Sequence, residues 1–211
     1  MSLSELLKSY ELLADRADTA FADMAKANGE AIKCKPRCSD CCHAVFGLFL
    51  VEAAYVHEHF SRLNTDVQKG ALLRCSEMER GLKRLEKKAQ IHEDDPQMQH
   101  YILARERIRC PLLDDNHECV LYLHRPITCR VYGIPTRVQG KARVCGKSGF
   151  KSGEAYEAFD LDGVYSSLHT LSIQLLQMNG KEDDLEPASL LISMSKTITT
   201  PLESLIRGDL E

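Results

Sequence analysis

Hydrophobic positions in the first 28 residues recur at a helical period. Leu3, Leu6, Leu7, Tyr10, Leu13, Ala17, Phe21 and Met24 fall on one stripe, which predicts a single amphipathic helix. Ser2, followed by Glu5, has the pattern of a capping box, and Asn28-Gly29 supplies a stop. A denser apolar run from Phe46 to Phe60 predicts a buried helix carrying Glu52, His57 and His59. Residues 64–91 predict a long charged helix whose apolar stripe is Leu72, Cys75, Met78, Leu82, Leu85 and Ala89. Asp94-Asp95-Pro96 opens a further helix, with Pro96 in its first turn, running to Ile108. The pattern then changes. Between Cys110 and Tyr122 two apolar segments flank a polar turn, which predicts a short β-hairpin or knuckle. Arg125-Pro126 leads into a short helix carrying Cys129, ended by Tyr132-Gly133-Ile134-Pro135. Residues 136–145 return as a short strand or loop delivering Cys145, with turns at Gly140 and Gly146. Further helices are expected from Glu154 to Phe159, from Val164 to Met178 with a stop at Asn179-Gly180, and from Pro187 to Lys196. Thr200-Pro201 begins a short terminal turn or helix. The expected fold is mainly α: a single helical domain over residues 1–211, wrapped around a cysteine-rich core at residues 30–146.

Composition narrows the class. A chain of 211 residues is long enough for one well-cored domain or two small ones. With 44% hydrophobic and 27% charged residues it reads as a soluble globular protein and not as a disordered tail. A net charge of −4 argues against a general nucleic-acid binder. Arg125, Arg130, Arg137, Lys141, Arg143 and Lys147 cluster near the later cysteines. They read as solvated surface, with an anion or cofactor site as the alternative. No stretch approaches the roughly 20 apolar residues of a membrane span. The N-terminus lacks a cationic start followed by a long apolar run, which argues against a secretory signal. No membrane partner is expected, and a cytoplasmic location is.

The cysteines carry the candidate chemistry. Eight of the nine fall in two groups: Cys34, Cys38, Cys41 and Cys42, then Cys110, Cys119, Cys129 and Cys145. An odd number of cysteines without an export signal disfavours a disulfide framework and favours metal-bound thiolates in a reducing compartment. Thiolate is a soft, charged ligand that suits zinc, copper(I) or an iron–sulfur cluster. The spacing of the first group lets the chain wrap one centre with three sulfurs. Cys41 and Cys42, being neighbours, are expected to point apart, one of them towards a second centre or a ligand from residues 110–145. Eight thiols match two four-sulfur sites, one cluster plus one zinc, or a single site with spare thiols, and the spacing leaves these open. Arg125, Arg130 and Lys35 would offset the negative charge of the thiolates, as would backbone N–H donors. His43 and His117 adjoin the candidates and are possible replacements for a cysteine. Cys75 lies on a helix stripe and reads as a structural core residue. Asp40, Glu52, Tyr122 and Tyr132 lie near the cysteines, as proton donors and acceptors or as packing residues. No catalytic residue is assigned.

These motifs make the chain recognisable. Cys34-Lys-Pro-Arg-Cys38-Ser-Asp-Cys41-Cys42, Cys110-Pro-Leu-Leu, Cys119-Val-Leu-Tyr and Arg125-Pro-Ile-Thr-Cys129-Arg-Val-Tyr resemble, in order, the YkgJ-type cysteine-cluster family over residues 30–146. The resemblance implies a zinc- or iron-chelating domain whose eight cysteine positions map onto Cys34, Cys38, Cys41, Cys42, Cys110, Cys119, Cys129 and Cys145. Cys75 is outside the pattern. The leading expectation is an iron–sulfur protein, with a [4Fe–4S] cluster, working in electron transfer or redox chemistry with a redox or protein partner. A zinc-stabilised structural or interaction module is the alternative. The same signature occurs in flagellin lysine N-methylases, so an S-adenosylmethionine-dependent protein methyltransferase-like enzyme is a second alternative. Cys34, Cys38 and Cys41 also have radical S-adenosylmethionine spacing, but the chain lacks the strand–helix alternation of that barrel and a Gly-rich nucleotide turn.

Overall fold

A computed structural model describes residues 2–209. Helix α1 (Leu3–Asn28) forms where the stripe predicts it, and Ser2 and Glu5 complete the capping box at its start. Its buried face is Leu6, Leu7, Tyr10, Ala14, Ala17 and Met24, with Leu3, Leu13 and Phe21 half-buried at its margins. Helix α2 (Leu50–Ser61) is the centre of the molecule. Leu50, Val51, Ala53, Ala54, Val56 and Phe60 bury nearly all round it, because α1, three later helices and the Tyr122–His124 turn pack against it. It starts four residues later than the apolar run suggests. Phe46–Phe49 is extended instead, and Leu48 pairs with Ile192 through two backbone hydrogen bonds of 2.8 and 2.9 Å.

Helix α3 (Thr65–Gln90) is capped by Asn64 and buries Ala71, Cys75, Met78, Gly81 and Leu85. Leu72, expected on that stripe, is turned outward, while Cys75 is buried as expected. Helix α4 (Pro96–Arg105) is capped by Asp95 and begins on Pro96. It ends three residues before Ile108, whose N–H is claimed by the His43 carbonyl at 3.0 Å.

Residues 110–121 form a knuckle closed by a single bridge, Leu113 to Cys119, and not a hairpin ladder. The Asp114 carboxylate accepts from the Asn116 and Glu118 N–H groups at 2.9 and 2.8 Å, which shapes the turn. Helix α5 (Ile127–Val131) carries Cys129. The hairpin lies further on, as β1 (Thr136–Val138) and β2 (Lys141–Arg143), antiparallel about Gln139-Gly140, both at positive φ. Strand β3 (Phe159–Asp160) joins β1 in parallel, so the sheet order is β2-β1-β3. This corrects the helix expected over Glu154–Phe159. Asp160 then caps α6 (Leu161–Met178), which Asn179 and the left-handed Gly180 close as expected.

The single helix expected from Pro187 to Lys196 is split. A 3-10 turn at Glu186–Ala188 precedes the Leu48–Ile192 bridge, and α7 (Met194–Thr199) follows it. Helix α8 (Leu202–Arg207) ends the described chain after Pro201. Among the described residues the fold is mainly helical with one small three-stranded sheet. Among those residues no helix is long and apolar enough to cross a membrane.

Candidate metal centre

Two stretches with little regular structure bring the cysteines together, and backbone hydrogen bonds align them. Cys41 and Cys42 lie in a 3-10 turn, Cys41–His43. The Cys110 N–H donates to the Cys42 carbonyl at 2.8 Å, and Ala44 bridges Arg107. The first cysteine loop is thus laid against the start of the knuckle, and the knuckle in turn delivers Cys119. Glu52, buried on α2, accepts the Ile127 N–H at 3.1 Å and so holds the first turn of α5, placing Cys129 two residues on.

Five thiols result in one inner group: Cys41, Cys42, Cys110, Cys119 and Cys129. They line a mostly enclosed cavity of about 30 Å³, whose other walls are largely apolar and include Phe46, Leu48, Met78 and Met194, with Arg125 also on its wall. The Cys41 and Cys42 sulfurs are 4.0 Å apart. The expectation that these neighbours point apart is therefore corrected: the 3-10 turn brings both thiols to the same side. Each also engages the second group, Cys41 with Cys129 and Cys42 with Cys119. Proton affinities alternate along this chain of sulfurs. Contacts with Cys129 and Cys42 hold Cys41 low, and contact with Cys42 holds Cys119 low. Cys42 and Cys129 are driven up by those contacts and by burial. Burial pushes Cys110 to about 12. Metal binding needs thiolates, so Cys41 and Cys119 are biased towards the ligating form, whereas Cys42, Cys110 and Cys129 would give up protons on loading.

The other three candidates form an outer group. Cys34 is exposed, hydrogen-bonds with Cys38 and rests directly on Gly133, where any Cβ would displace its sulfur. Cys145 is buried and donates to Asp40 Oδ2 at 3.3 Å. Asp40 is buried as well. Its Oδ1 accepts from Arg107 at 2.7 Å and lies 3.1 Å from the Lys147 ammonium. Burial works to raise the Asp40 carboxyl, but the Lys147, Cys145 and Arg107 contacts outweigh it and leave it lowered. Among the described residues no three His, Cys, Asp or Glu side chains yet converge on one metal-bonding point; the sulfurs meet in pairs.

The remaining sequence candidates are placed as follows. His43 Nδ1 lies 2.9 Å from the Ser39 carbonyl oxygen, and His117 is exposed at positive φ in the knuckle turn. Tyr122 is exposed beneath the Arg125 guanidinium, and the Tyr132 hydroxyl accepts from Arg107 at 3.4 Å. Cys75 lies outside both sulfur groups, and His57 and His59 lie on α2 away from the cavity wall. His59 stacks on His124 at 3.6 Å, and the Tyr55 hydroxyl meets His124 Nδ1 at 2.9 Å. The basic run is not uniformly solvated. Arg137, Lys141, Arg143 and Lys147 are exposed, but Arg130 is buried and Arg125 nearly so. Both pair with Asp18 of α1, and Arg130 also donates to the Arg125 and Leu123 carbonyls. Sequence reasoning missed Asp18 and Arg107, because nothing local marks an ion pair between residues so far apart in the chain.

The sequence profile of one family, described as "CxxCxxCC: Putative zinc- or iron-chelating domain", matches residues 33–146. This chain belongs to the CxxCxxCC family. No curated protein and no solved structure matches it. The CxxCxxCC match takes in both sulfur groups, all of α2 to α5 and the β1–β2 hairpin; α1 and α6 to α8 lie outside it. As a CxxCxxCC domain the chain is a metal-binding protein of the zinc- or iron-chelating kind. The donor set fits that description: clustered sulfurs in a largely dry pocket suit a soft metal and not magnesium or calcium.

Proposed function

We propose that Cys41, Cys42, Cys110, Cys119 and Cys129 hold an iron–sulfur cluster, and that the chain serves electron transfer with a redox partner in the cytoplasm. The observation that carries this reading is that five thiols line one small, mostly enclosed and largely apolar cavity. Four thiolates suffice for a [4Fe–4S] cluster, and the fifth leaves a spare or exchangeable donor. When bound, such a cluster supplies a one-electron couple. The chain's own residues would set its conditions. Met78, Met194, Leu48 and Phe46 keep water from the sulfurs. Arg125 brings a positive charge to thiolates that carry several negative ones, which favours the reduced form. Glu52 and the Cys110-to-Cys42 backbone bond fix where Cys129 and Cys42 stand.

One observation favours a second reading, a single zinc or iron ion in four thiolates. Sulfurs 2.3 Å from a tetrahedral ion lie about 3.8 Å from one another. The Cys41–Cys42 separation of 4.0 Å is close to that edge. A closed four-sulfur ion has no open position, so this centre would stabilise the fold and do no chemistry. Metal and sulfide content with visible absorption, measured on protein purified without oxygen, separates the two. Iron with acid-labile sulfide and a broad absorption that bleaches on reduction supports the cluster. Colourless protein with stoichiometric zinc overturns electron transfer and leaves the structural centre.

A further inference from the structure

Two histidines and a tyrosine form a cluster of ionisable rings that the metal centre does not use. Tyr55 and His59 stand four residues apart on α2 and so share one face, with ring centroids 4.4 Å apart. His124 reaches that face from the Tyr122–His124 turn. Its ring lies flat on His59, 3.6 Å between centroids and 7° from parallel, and its Nδ1 meets the Tyr55 hydroxyl at 2.9 Å. Tyr122 and Leu123 are exposed, so His124 is the side chain that ties the turn to α2. We propose that the His59–His124 stack is an acid-sensitive latch: while both rings are neutral it holds the turn against α2, and protonation below neutral pH releases the turn and loosens the wall of the inner cavity. The latch is a property of the chain with or without metal; only its effect on the centre rests on the reading of the inner cysteines as ligands.

Imidazole changes charge in the physiological pH range, and a stacked pair accommodates that charge poorly. Burial lowers the proton affinity of both rings. Arg130 and Arg62 lower His124 further, and His124 and Arg62 lower His59 further. Glu11 of α1 pulls His124 the other way and Glu58 of α2 does so for His59, but neither outweighs burial. Asp15 of α1 acts on Tyr55 in the same cluster, and Asp18 of α1 pairs with Arg125 and Arg130 on the α5 side. A second proton meets the first at stacking distance, where like charges repel. In its neutral Nε2–H form His124 accepts the Tyr55 hydroxyl proton at Nδ1, and a proton placed on Nδ1 ends that acceptance. Both rings are depressed from the ordinary 6.5 in the folded chain, so the open state binds more protons. The latch is therefore intact above 6.5 and weakens as pH falls below it. Arg125 and Arg130 donate to the Tyr122 and Leu123 carbonyls at 2.8 Å each, so the released turn stays fastened to the α5 side and moves with it. Arg125 and Pro126, which follow the turn, stand on the cavity wall between Cys119 and Cys129.

The test is hydrogen exchange of the full chain, as isolated and under reducing conditions, corrected for the intrinsic pH dependence of exchange. NMR titration of the histidine rings and elemental analysis accompany it. In wild type, protection of residues 119–125 should fall by about 10-fold between about pH 7.5 and about pH 5, and both rings should take up protons below their ordinary 6.5. His59→Phe keeps a ring for the stack and removes one titration, so the loss of protection should be smaller. His59→Phe combined with His124→Phe should remove most of it. His57→Gln, on the same helix and outside the stack, should behave as wild type. Glu52 cannot mimic the latch, because its raised proton affinity stabilises the folded state on acidification. Protection that does not change with pH in wild type overturns the proposal. So does a loss that persists at full size in the doubly substituted chain, and so do rings that titrate at 6.5 as in an open chain. Opening in acid of protein that holds no metal supports the latch and sinks the cluster reading; iron and sulfide present with no opening does the reverse.

Discussion

Glu52 shows how one buried carboxyl positions a sulfur and at what cost. Burial raises it from an ordinary 4.5 to about 7, opposed by the Ile127 and Phe49 N–H groups and the Tyr10 hydroxyl. In the unfolded chain the group loses its proton near 4.5; in the folded chain it keeps it to about 7. Within that window the folded state binds more protons, so this group's contribution to stability falls as pH rises and levels off above about 7. Glu52→Gln keeps an oxygen for Ile127 and removes the titration. Urea midpoints should then lose their slope between pH 5 and 7, and the variant should gain about 1–3 kcal/mol at pH 8. Midpoints that track the wild type across that range count against the assignment. Cys75 is the contrasting residue: buried, on α3, and outside both sulfur groups. Cys75→Ala is expected to cost about 1 kcal/mol from lost packing and to leave bound metal per chain unchanged. A drop in metal content would make it a ligand.

Among the elements, α1 and α5 are locked by charge. Asp18 pairs with Arg125 and with the buried Arg130. Removing the partner of a buried cation is costly, but Asp18 is itself half-exposed, so solvent screens part of the loss. Asp18→Asn should destabilise by about 1–3 kcal/mol, and hydrogen exchange should quicken in Ile127–Val131 more than in α3. Uniform change across all helices would mean that the pair does not clamp α5. The turn after α5 is specified by a close approach. Gly133 has no side chain because the Cys34 sulfur and Phe21 occupy that space. Gly133→Ala is expected to push the Cys34 thiol outward, at a cost of about 1–3 kcal/mol, and to speed its alkylation relative to Cys145. Unchanged alkylation would place Cys34 elsewhere.

Across the fold, the inner sulfurs come from the segments with least regular structure. The long helices bury their own stripes, whereas residues 31–46 and 106–126 are joined by a few backbone bonds, by the Asp40–Arg107 pair and by the buried Ile108, Leu112, Leu113 and Leu121. Metal would contribute to folding there, on the order of 10 kcal/mol for a structural thiolate site. Removal of metal by a chelator under reducing conditions should lower the thermal midpoint sharply. Hydrogen-exchange protection should be lost in those two segments first, while the Leu6–Ala17 face of α1 and the Cys75–Leu85 face of α3 keep theirs. Equal loss everywhere would mean that the metal stabilises the whole core and not these segments. The measurement is exchange mass spectrometry before and after chelation.

Much of this could be read from neighbours along the chain. The stripes of α1, α3 and α6, the Ser2–Glu5 box, Pro96 after its Asp95 cap and the stop at Gly180 are local signals, and they hold because a helix is built from contacts three and four residues apart. The cysteine chemistry was legible for the same reason, since thiol type and spacing are properties of the sequence. What it could not supply are choices between distant segments. Leu48 pairs with Ile192 and Ile108 with His43, and those pairings shorten one helix at its start, another at its end and split a third. The apolar runs look helical either way, so only the competing partner decides. The division of eight thiols into an inner five and an outer three depends likewise on the 3-10 turn at Cys41–His43 and on Asp40, Arg107 and Lys147 meeting from three parts of the chain. Spacing counts sulfurs; which of them share a cavity is set by how the loops are packed against α2.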